Sequence, residues 1–179
     1  MKKILLVLGV FLMGLSFSSC DEDDLVDLLP SFKVDINEIE NIPVHIDQTN
    51  GERVAFSATT NLSIKNDDTN DYLDKIEAVS ISKLSYKIID FTGDPAGDVA
   101  GSFDVAGQVS LSNEFVVKTS ADNQTVYNIT DVNELSRIAN TLLSGQSVVV
   151  KYSGNALCDA DDMDFKVEVT LVAKVTIDP

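Results

Sequence analysis

The chain has 179 residues, 44% of them hydrophobic, which is enough length and apolar content for one globular domain. It carries 29 acidic and 13 basic residues, and its formal net charge is −16. Such an excess of negative charge repels phosphate backbones, so we expect no nucleic-acid partner.

The N-terminus has the pattern of a secretory signal peptide over residues 1–19. Lys2 and Lys3 provide the positive start, residues 4–15 are an apolar run, and small residues precede Cys20. A membrane-spanning helix needs about 20 apolar residues. The run is shorter than that and is soon followed by acidic residues, so the pattern favours a signal peptide over a transmembrane anchor.

The segment Leu15-Ser16-Phe17-Ser18-Ser19-Cys20 resembles the lipobox of bacterial lipoproteins, in a loose form similar to that of Bacteroidota. The resemblance implies cleavage before Cys20 and attachment of a diacylglyceryl group to its thiol. The acidic run Asp21-Glu22-Asp23-Asp24 is similar to the export tag that sends such lipoproteins to the outer face of the outer membrane. The implied partner of this end is therefore the membrane, reached through lipid chains, with a periplasm-facing position as the alternative.

Residues 20–30 are predicted to be an acidic tether, and residues 31–179 a single domain built from strands. Apolar and polar residues alternate with a period of two, as in half-buried strands. The alternating segments are 32–36, 42–46, 54–64, 78–91, 99–111, 148–152 and 163–177. Pro43 predicts that its strand lies at a sheet edge. The alternation changes phase near Ser82-Lys83, which predicts a β-bulge or a strand that switches sheets.

The last alternating segment is the clearest strand. Phe165, Val167, Val169 and Leu171 are predicted to face the core, whereas Lys166, Glu168 and Thr170 face water. We expect the segment with Val148, Val150 and Tyr152 to pair with it through the loop between them.

One helix interrupts the strands. Apolar residues recur at helical spacing from Val132 to Leu143, Asp131 with Glu134 resembles a capping box, and Gly145 stands where a helix ends. A shorter turn is expected at 71–74. About eight strands with one crossover helix predict an all-β antiparallel β-sandwich, with a closed β-barrel as the alternative.

Residues suited to catalysis or to zinc binding are few. His45 is the chain's one histidine and lies on the polar face of the strand that contains Pro43. A hydrolytic triad needs a nucleophile beside the imidazole, and nothing in the sequence places a serine or Cys158 there. Cys158 is expected to be a small buried hydrophobe. We therefore expect no enzyme and no cofactor apart from the cation considered next.

Two acidic loops offer oxygen ligands for calcium. Asp159, Asp161, Asp162 and Asp164 form one loop cluster, and Asn66, Asp67, Asp68, Asn70 and Asp71 form the other. Calcium takes six to eight oxygens, but Asp and Asn are also ordinary turn residues. Calcium binding and solvated turns both remain open, and neither loop has the spacing of an EF-hand.

These features favour a non-catalytic lipoprotein whose β-sandwich serves as a protein-interaction, adhesion or accessory module. One alternative is a glycan-binding accessory of a polysaccharide-uptake system, for which Tyr72 and Tyr127 are the expected free rings, since Tyr86 and Tyr152 lie in phase with core residues. A second alternative is a hydrolase that uses a carboxylate pair.

Overall fold

The structure, a computed structural model, describes residues 30–178. The predicted signal peptide, Cys20 and the acidic residues 21–24 lie outside these residues. Within them, no helix is both long enough and apolar enough to span a bilayer. The strands are β1 (Phe32–Ile46), β2 (Val54–Ser63), β3 (Ile76–Gly93), β4 (Asp98–Val105), β5 (Gln108–Val116), β6 (Val126–Asn128), β7 (Ser147–Leu157) and β8 (Met163–Ile177). The helices are a 3₁₀ helix (Asn70–Lys75), α1 (Val117–Asp122) and α2 (Val132–Gly145).

The strands form two four-stranded sheets with the orders β1-β8-β3-β6 and β2-β7-β4-β5. All pairings are antiparallel, and the first strand pairs with the eighth, the second with the seventh, the third with the sixth and the fourth with the fifth. This is the connectivity of an eight-stranded jelly roll, in which one long hairpin is rolled into two packed sheets. The predicted antiparallel β-sandwich is confirmed, and the closed-barrel alternative is wrong because the sheets are separate.

Strand β8 lies inside its sheet, and its sequence explains why. Every second residue from Met163 to Ile177 is buried, and the residues between them are exposed or half-buried. Phe165, Val167 and Leu171 are at most 2% exposed. Burying a side chain of this size stabilises the fold by about 1.5–3 kcal/mol, so the alternation fixes which face of β8 meets the core. The predicted orientation of this strand is confirmed.

The predicted bulge is present in β3. Its register against β8 shifts between Ile81 and Lys83, leaving Ser82 as the extra residue. Beyond this point Leu84, Tyr86 and Ile88 are buried. The extra residue therefore lets one strand keep its apolar side chains inward after the change of phase.

Two predictions about the strands are wrong. First, β7 does not pair with β8: β7 lies between β2 and β4 in the other sheet, and the segment 158–162 crosses between the sheets. Packed sheets are about 10 Å apart, and a short loop can span that distance. Two strands that follow one another in the sequence, such as β7 and β8, can therefore lie in different sheets. Second, residues 99–111 are not one strand, because the chain reverses at Ala106 and Gly107, which both have positive φ.

Other local predictions agree with the structure. Pro43 lies in β1, which is an edge strand. Helix α2 begins after Asp131, whose carboxylate accepts hydrogen bonds from the backbone N–H groups of Asn133 and Glu134 at 2.8 and 3.2 Å. The left-handed residue that ends α2 is Gln146, one position later than predicted.

Helix α1 was not predicted, because its six residues are too few to show helical periodicity.

An aromatic cluster fills the space between the sheets. Tyr86 stacks on both Phe103 and Tyr127 with ring centroids 4.8 Å apart, and Phe115 continues the stack beyond Tyr127 at 5.2 Å. The Tyr86 hydroxyl accepts a hydrogen bond from Asn113, and burial raises the pKa of Tyr86 to about 12. The cluster therefore joins strands of both sheets through close ring contacts.

Candidate functional site

The connections between strands are divided between two ends of the sandwich. One end, which we call the loop end, carries the segments 47–53, 94–97, 117–125 and 158–162. The opposite end, the base end, carries Phe32 at the start of β1, the segment 64–75 and the turn at 106–107. Strand β1 runs from one end to the other. Its 15 residues extend roughly 45 Å at about 3.3 Å per residue.

Hydrogen bonds tie the loop end together around Thr49. Its backbone N–H donates to the Cys158 carbonyl at 2.9 Å, and its hydroxyl donates to the Asp159 carboxylate at 2.7 Å. The same carboxylate accepts the Gly51 N–H at 2.6 Å. Thr49 is 6% exposed, so a buried polar residue holds the 47–53 and 158–162 segments in one arrangement.

Asp94 holds the segments 94–97 and 158–162 together in a similar way. It is buried, and its carboxylate accepts the backbone N–H groups of Ala96 and Ala160, each at 2.9 Å. These hydrogen bonds lower the pKa of Asp94, since they stabilise its charged form. Three of the four connections at the loop end are thus joined by hydrogen bonds of the Asp94 and Asp159 carboxylates and the Thr49 hydroxyl.

His45 stands at the rim of the loop end, among three carboxylates. Its Nδ1 lies 2.8 Å from Oδ1 of Asp164, its register partner on β8, and its Nε2 lies 3.2 Å from Oδ1 of Asp47. Side-chain ligand atoms of His45, Asp47 and Asp162 all lie within 4.8 Å of one another. The hydrogen bonds with Asp164 and then Asp47 raise the pKa of His45.

The four acids of the predicted calcium loop do not converge. Asp162 joins the His45 cluster, and Asp164 contacts the imidazole from the far side. Asp159 accepts hydrogen bonds from the 49–51 turn, while Asp161 accepts the backbone N–H of Asp162 at 2.9 Å. The structure therefore brings two of the four acids to the histidine and uses the other two to hold the loop.

The second predicted acidic loop lies at the base end and is organised as a turn. The Asn66 side-chain oxygen accepts the backbone N–H groups of Asp68 and Thr69, both at 3.0 Å. Asp67, Asp68 and Asp71 are exposed. This is the ordinary use of Asn in a turn, where its side chain imitates a backbone carbonyl.

Cys158 is fully buried, as predicted. Its thiol donates to the backbone carbonyl of Asp47 at 3.4 Å, and burial raises the pKa of this thiol. A raised pKa reduces the thiolate fraction, and the thiolate is the reactive form of cysteine. The packing of Cys158 therefore fits a structural role.

The two tyrosines predicted to be free rings are both packed. Tyr72 lies edge-on against Phe32 with ring centroids 5.4 Å apart, and it is half-buried. Tyr127 is stacked between Tyr86 and Phe115 and shares a hydrogen bond of 3.1 Å with Ser120. That prediction was wrong, because the position of both rings depends on tertiary packing rather than on strand phase.

Asp47 is the member of the cluster that the sequence analysis missed. A local signal was available, because Asp47 follows His45 by two positions and residues two apart in an extended chain share a face. The approach of Asp164 and Asp162 had no such signal, since it depends on the pairing of β1 with β8.

Comparisons with known proteins assign no family to this chain. No family model and no curated protein matches the chain. A solved structure of Desmodium yellow mottle tymovirus is 15% identical, with a TM-score of 0.32 over 99% of this chain and 94% of that chain. The decameric BFDV capsid protein is 10% identical, with a TM-score of 0.39 over 82% of this chain and 99% of that chain. At these scores neither structure supports an inference about this chain.

Proposed function

We propose that the chain is a surface-exposed bacterial lipoprotein, anchored by lipid at Cys20, whose β-sandwich binds a partner without catalysis. It acts as a protein-interaction, adhesion or accessory module and uses the loop end for contact. The observation that carries this proposal is the course of β1. Its first residue, Phe32, lies at the base end, and its last residue, Ile46, lies at the loop end.

An anchor attached before β1 holds the base end nearer to the membrane. The strand is roughly 45 Å long, so the loop end projects away from the bilayer by about that distance when the domain stands upright. Loops at the end of a rigid sheet scaffold are where binding residues are commonly carried. The direction of the chain therefore supports the loop end as the contact surface.

Charge indicates which partners suit this end. Five exposed acids lie in the connections 47–53 and 158–162: Asp47, Glu52, Asp159, Asp161 and Asp162. A sixth, Asp122 in the connection 117–125, is paired with Lys118. A cluster of this sign attracts basic surfaces and cations and repels anionic ones. A partner with a basic contact face fits this end best.

The two alternative functions gain no specific support. Glycan binding was tied to Tyr72 and Tyr127, and both rings are packed against other aromatic residues. A carboxylate-pair hydrolase requires two acids held in different environments, whereas Asp159 accepts the backbone N–H of Gly51 and Asp161 accepts that of Asp162. A glycan array and a hydrolase screen of the purified protein test these alternatives directly.

The anchoring part of the proposal is tested by fatty-acid labelling in the native host. Cys20→Ala should abolish incorporation of labelled fatty acid, because the thioether forms on that sulfur. Cys158→Ala is the matched control and should label like the wild type. Equal labelling of the Cys20→Ala variant would refute the anchor.

The surface position is tested by replacing Asp21, Glu22, Asp23 and Asp24 with alanine. This variant should keep its lipid but lose accessibility to protease added to intact cells. If protease removes the variant and the wild type equally, these acids are not an export tag.

The contact surface is tested by site-specific photocrosslinking on intact cells. Glu52 and Asp67 are both exposed acids in connecting segments, but they lie at the loop end and the base end respectively. A photoreactive amino acid at position 52 should give a discrete crosslinked product that position 67 does not give. A product from position 67 alone, or from neither position, contradicts the proposed surface.

A further inference from the structure

The His45 cluster differs from the other acidic groups of the domain in containing an imidazole. Ligand atoms of His45, Asp47 and Asp162 lie within 4.8 Å of one another. Ligand atoms that are each about 2.1 Å from a common ion in tetrahedral geometry lie about 3.4 Å from one another. The most widely separated pair therefore needs to converge by at most about 1.4 Å, which rotation of these exposed side chains achieves.

The imidazole is oriented for this task by a second carboxylate. Nδ1–H donates to the Asp164 carboxylate at 2.8 Å, which holds a proton on Nδ1 and makes Nε2 the nitrogen that gives up its proton when a metal ion binds. Nε2 faces the Asp47 carboxylate at 3.2 Å. A carboxylate behind a histidine is the usual arrangement at protein metal sites, where it fixes both the tautomer and the ring orientation.

The two ligating acids are held by different parts of the chain. Asp47 follows the end of β1, and Asp162 precedes the start of β8. Oδ1 of Asp162 accepts the backbone N–H of Gln48 at 2.8 Å, which keeps the two loops together. Its Oδ2 accepts no hydrogen bond within residues 30–178, so it is available to a cation.

We propose that His45, Asp47 and Asp162 bind a divalent transition-metal ion such as Zn²⁺, with Asp164 as the positioning residue of the imidazole. One nitrogen and two carboxylate oxygens suit this class of ion, whereas calcium prefers six to eight oxygens. Three protein ligands leave at least one coordination position open to water. This inference goes beyond the proposed function and concerns the domain alone, so it holds whether or not the chain is lipidated.

The site differs from the predicted calcium loop in its ligands as well as in its ion. The calcium prediction used Asp159, Asp161, Asp162 and Asp164, whereas here Asp162 is the shared ligand. Asp161 is exposed and adjacent to Asp162, but its carboxylate accepts the neighbouring backbone N–H. Asp161→Asn is therefore a matched control: it removes one negative charge from the same loop without removing a proposed ligand.

Direct binding is measured by titrating Zn²⁺ into the full-length protein in detergent after treatment with a chelator. The wild type should bind one equivalent saturably, and His45→Ala and Asp47→Asn should each weaken binding at least about tenfold. Asp161→Asn should bind like the wild type. Non-saturating binding, or an equal loss in Asp161→Asn and His45→Ala, would overturn the site.

The single histidine allows a second readout that does not depend on affinity. The chain contains one histidine, so ¹⁵N-histidine labelling gives the resonances of one imidazole. Zinc should shift the Nε2 resonance while Nδ1 remains protonated. Zinc binding that leaves both ring-nitrogen resonances unchanged would exclude His45 as a ligand.

Asp164→Asn tests the positioning role in the same experiment. Loss of such a partner commonly weakens metal binding 10–100-fold, and here it should also alter the balance between the Nδ1-H and Nε2-H tautomers without zinc. An unchanged tautomer balance and unchanged affinity would remove Asp164 from the site. A calcium titration that saturates at one equivalent and is abolished by Asp161→Asn would favour the calcium loop instead.

Discussion

Individual residues in this fold are constrained most tightly where the two sheets meet. Gly101 and Gly154 are register partners on β4 and β7. A methyl group on Gly101 would lie 2.3 Å from the Tyr152 hydroxyl, and one on Gly154 would lie 2.1 Å from the Ala100 carbonyl oxygen. The ring of Tyr152 is fully buried, so it has no free space into which to move. These glycines are needed for close approach rather than for an unusual backbone conformation.

Gly101→Ala should therefore destabilise the domain by about 1–3 kcal/mol, the usual result of overpacking a core. Gly145→Ala is the matched control, since nothing lies within 4 Å of its added methyl group and the residue is helical. That change should be neutral or stabilise by up to about 1 kcal/mol. Denaturant midpoints measure the stability of both variants. If the midpoints of Gly101→Ala and Gly145→Ala shift by the same amount in the same direction, the packing described for Gly101 is contradicted.

Glu38 is an acid on the inward-facing side of β1, and it gives stability a dependence on pH. Its carboxylate accepts the Ser63 N–H at 2.9 Å, and burial raises the pKa of Glu38. The folded state therefore binds this proton more tightly than the unfolded state does. The stabilisation is present below the unfolded pKa and is lost as pH rises through the folded pKa.

Glu38→Gln keeps an acceptor for the Ser63 N–H but removes the charge. Relative to wild type, the variant should become more stable as pH rises from about 4 to 7, by no more than about 0.5 kcal/mol for this partly exposed group. Unfolding free energies measured across that range test this, with exposed Glu52→Gln as the control. A difference between Glu38→Gln and wild type that does not vary with pH would contradict the burial of Glu38.

Secondary-structure elements show what the sequence determines locally and what it does not. The bulge at Ser82 was predictable because the change of phase occurs within one strand, and the start of α2 was predictable from Asp131. The pairing of β8 with β1 and β3 was not predictable, since alternation reveals a buried face but not the neighbour. The same limit applied to the candidate site: His45 and Asp47 share a local pattern, whereas Asp164 reaches them through pairing.

Strand β8 provides the clearest test of the sheet register. Phe165→Ala and Leu171→Ala should each cost about 2–5 kcal/mol, because both side chains are buried. Lys166→Ala should change stability by no more than about 0.5 kcal/mol, because its ion pair with Asp90 is exposed. Glu168→Ala should cost slightly more, because its ion pair with Lys87 is less exposed. Denaturant midpoints of the four variants measure these changes in stability. If the two core variants and the two surface variants lose similar stability, β8 is not buried on one face only.

Helix α2 depends on the residue that precedes it, Asp131. Asp131→Ala removes the acceptor of two backbone N–H groups and should cost about 1 kcal/mol. Asn140→Ala, at an exposed position inside the helix, should be neutral or slightly stabilising. Thermal unfolding of the two variants distinguishes a specific cap from a general sensitivity of the helix, and equal losses would argue against the cap.

At the scale of the whole molecule, the proposed function depends on which end of the domain faces away from the membrane. The connections 47–53, 94–97 and 158–162 lie at one end and Phe32 lies at the other. With the proposed lipid attached at Cys20, the base end lies nearer to the membrane than the loop end does. The proposed contact surface and the proposed metal site then share the end that lies farther from the bilayer.

The proposed orientation of the domain is tested by fluorescence energy transfer to the membrane. The lipidated protein, carrying Cys158→Ala, is reconstituted in vesicles that contain an acceptor-labelled lipid, with a donor fluorophore on a cysteine introduced by Glu52→Cys or by Asp67→Cys. Both positions are exposed acids in connecting segments, so they differ mainly in the end at which they lie. With the base end near the bilayer, energy transfer should be clearly stronger from position 67 than from position 52. Equal transfer, or stronger transfer from position 52, would contradict the proposed orientation.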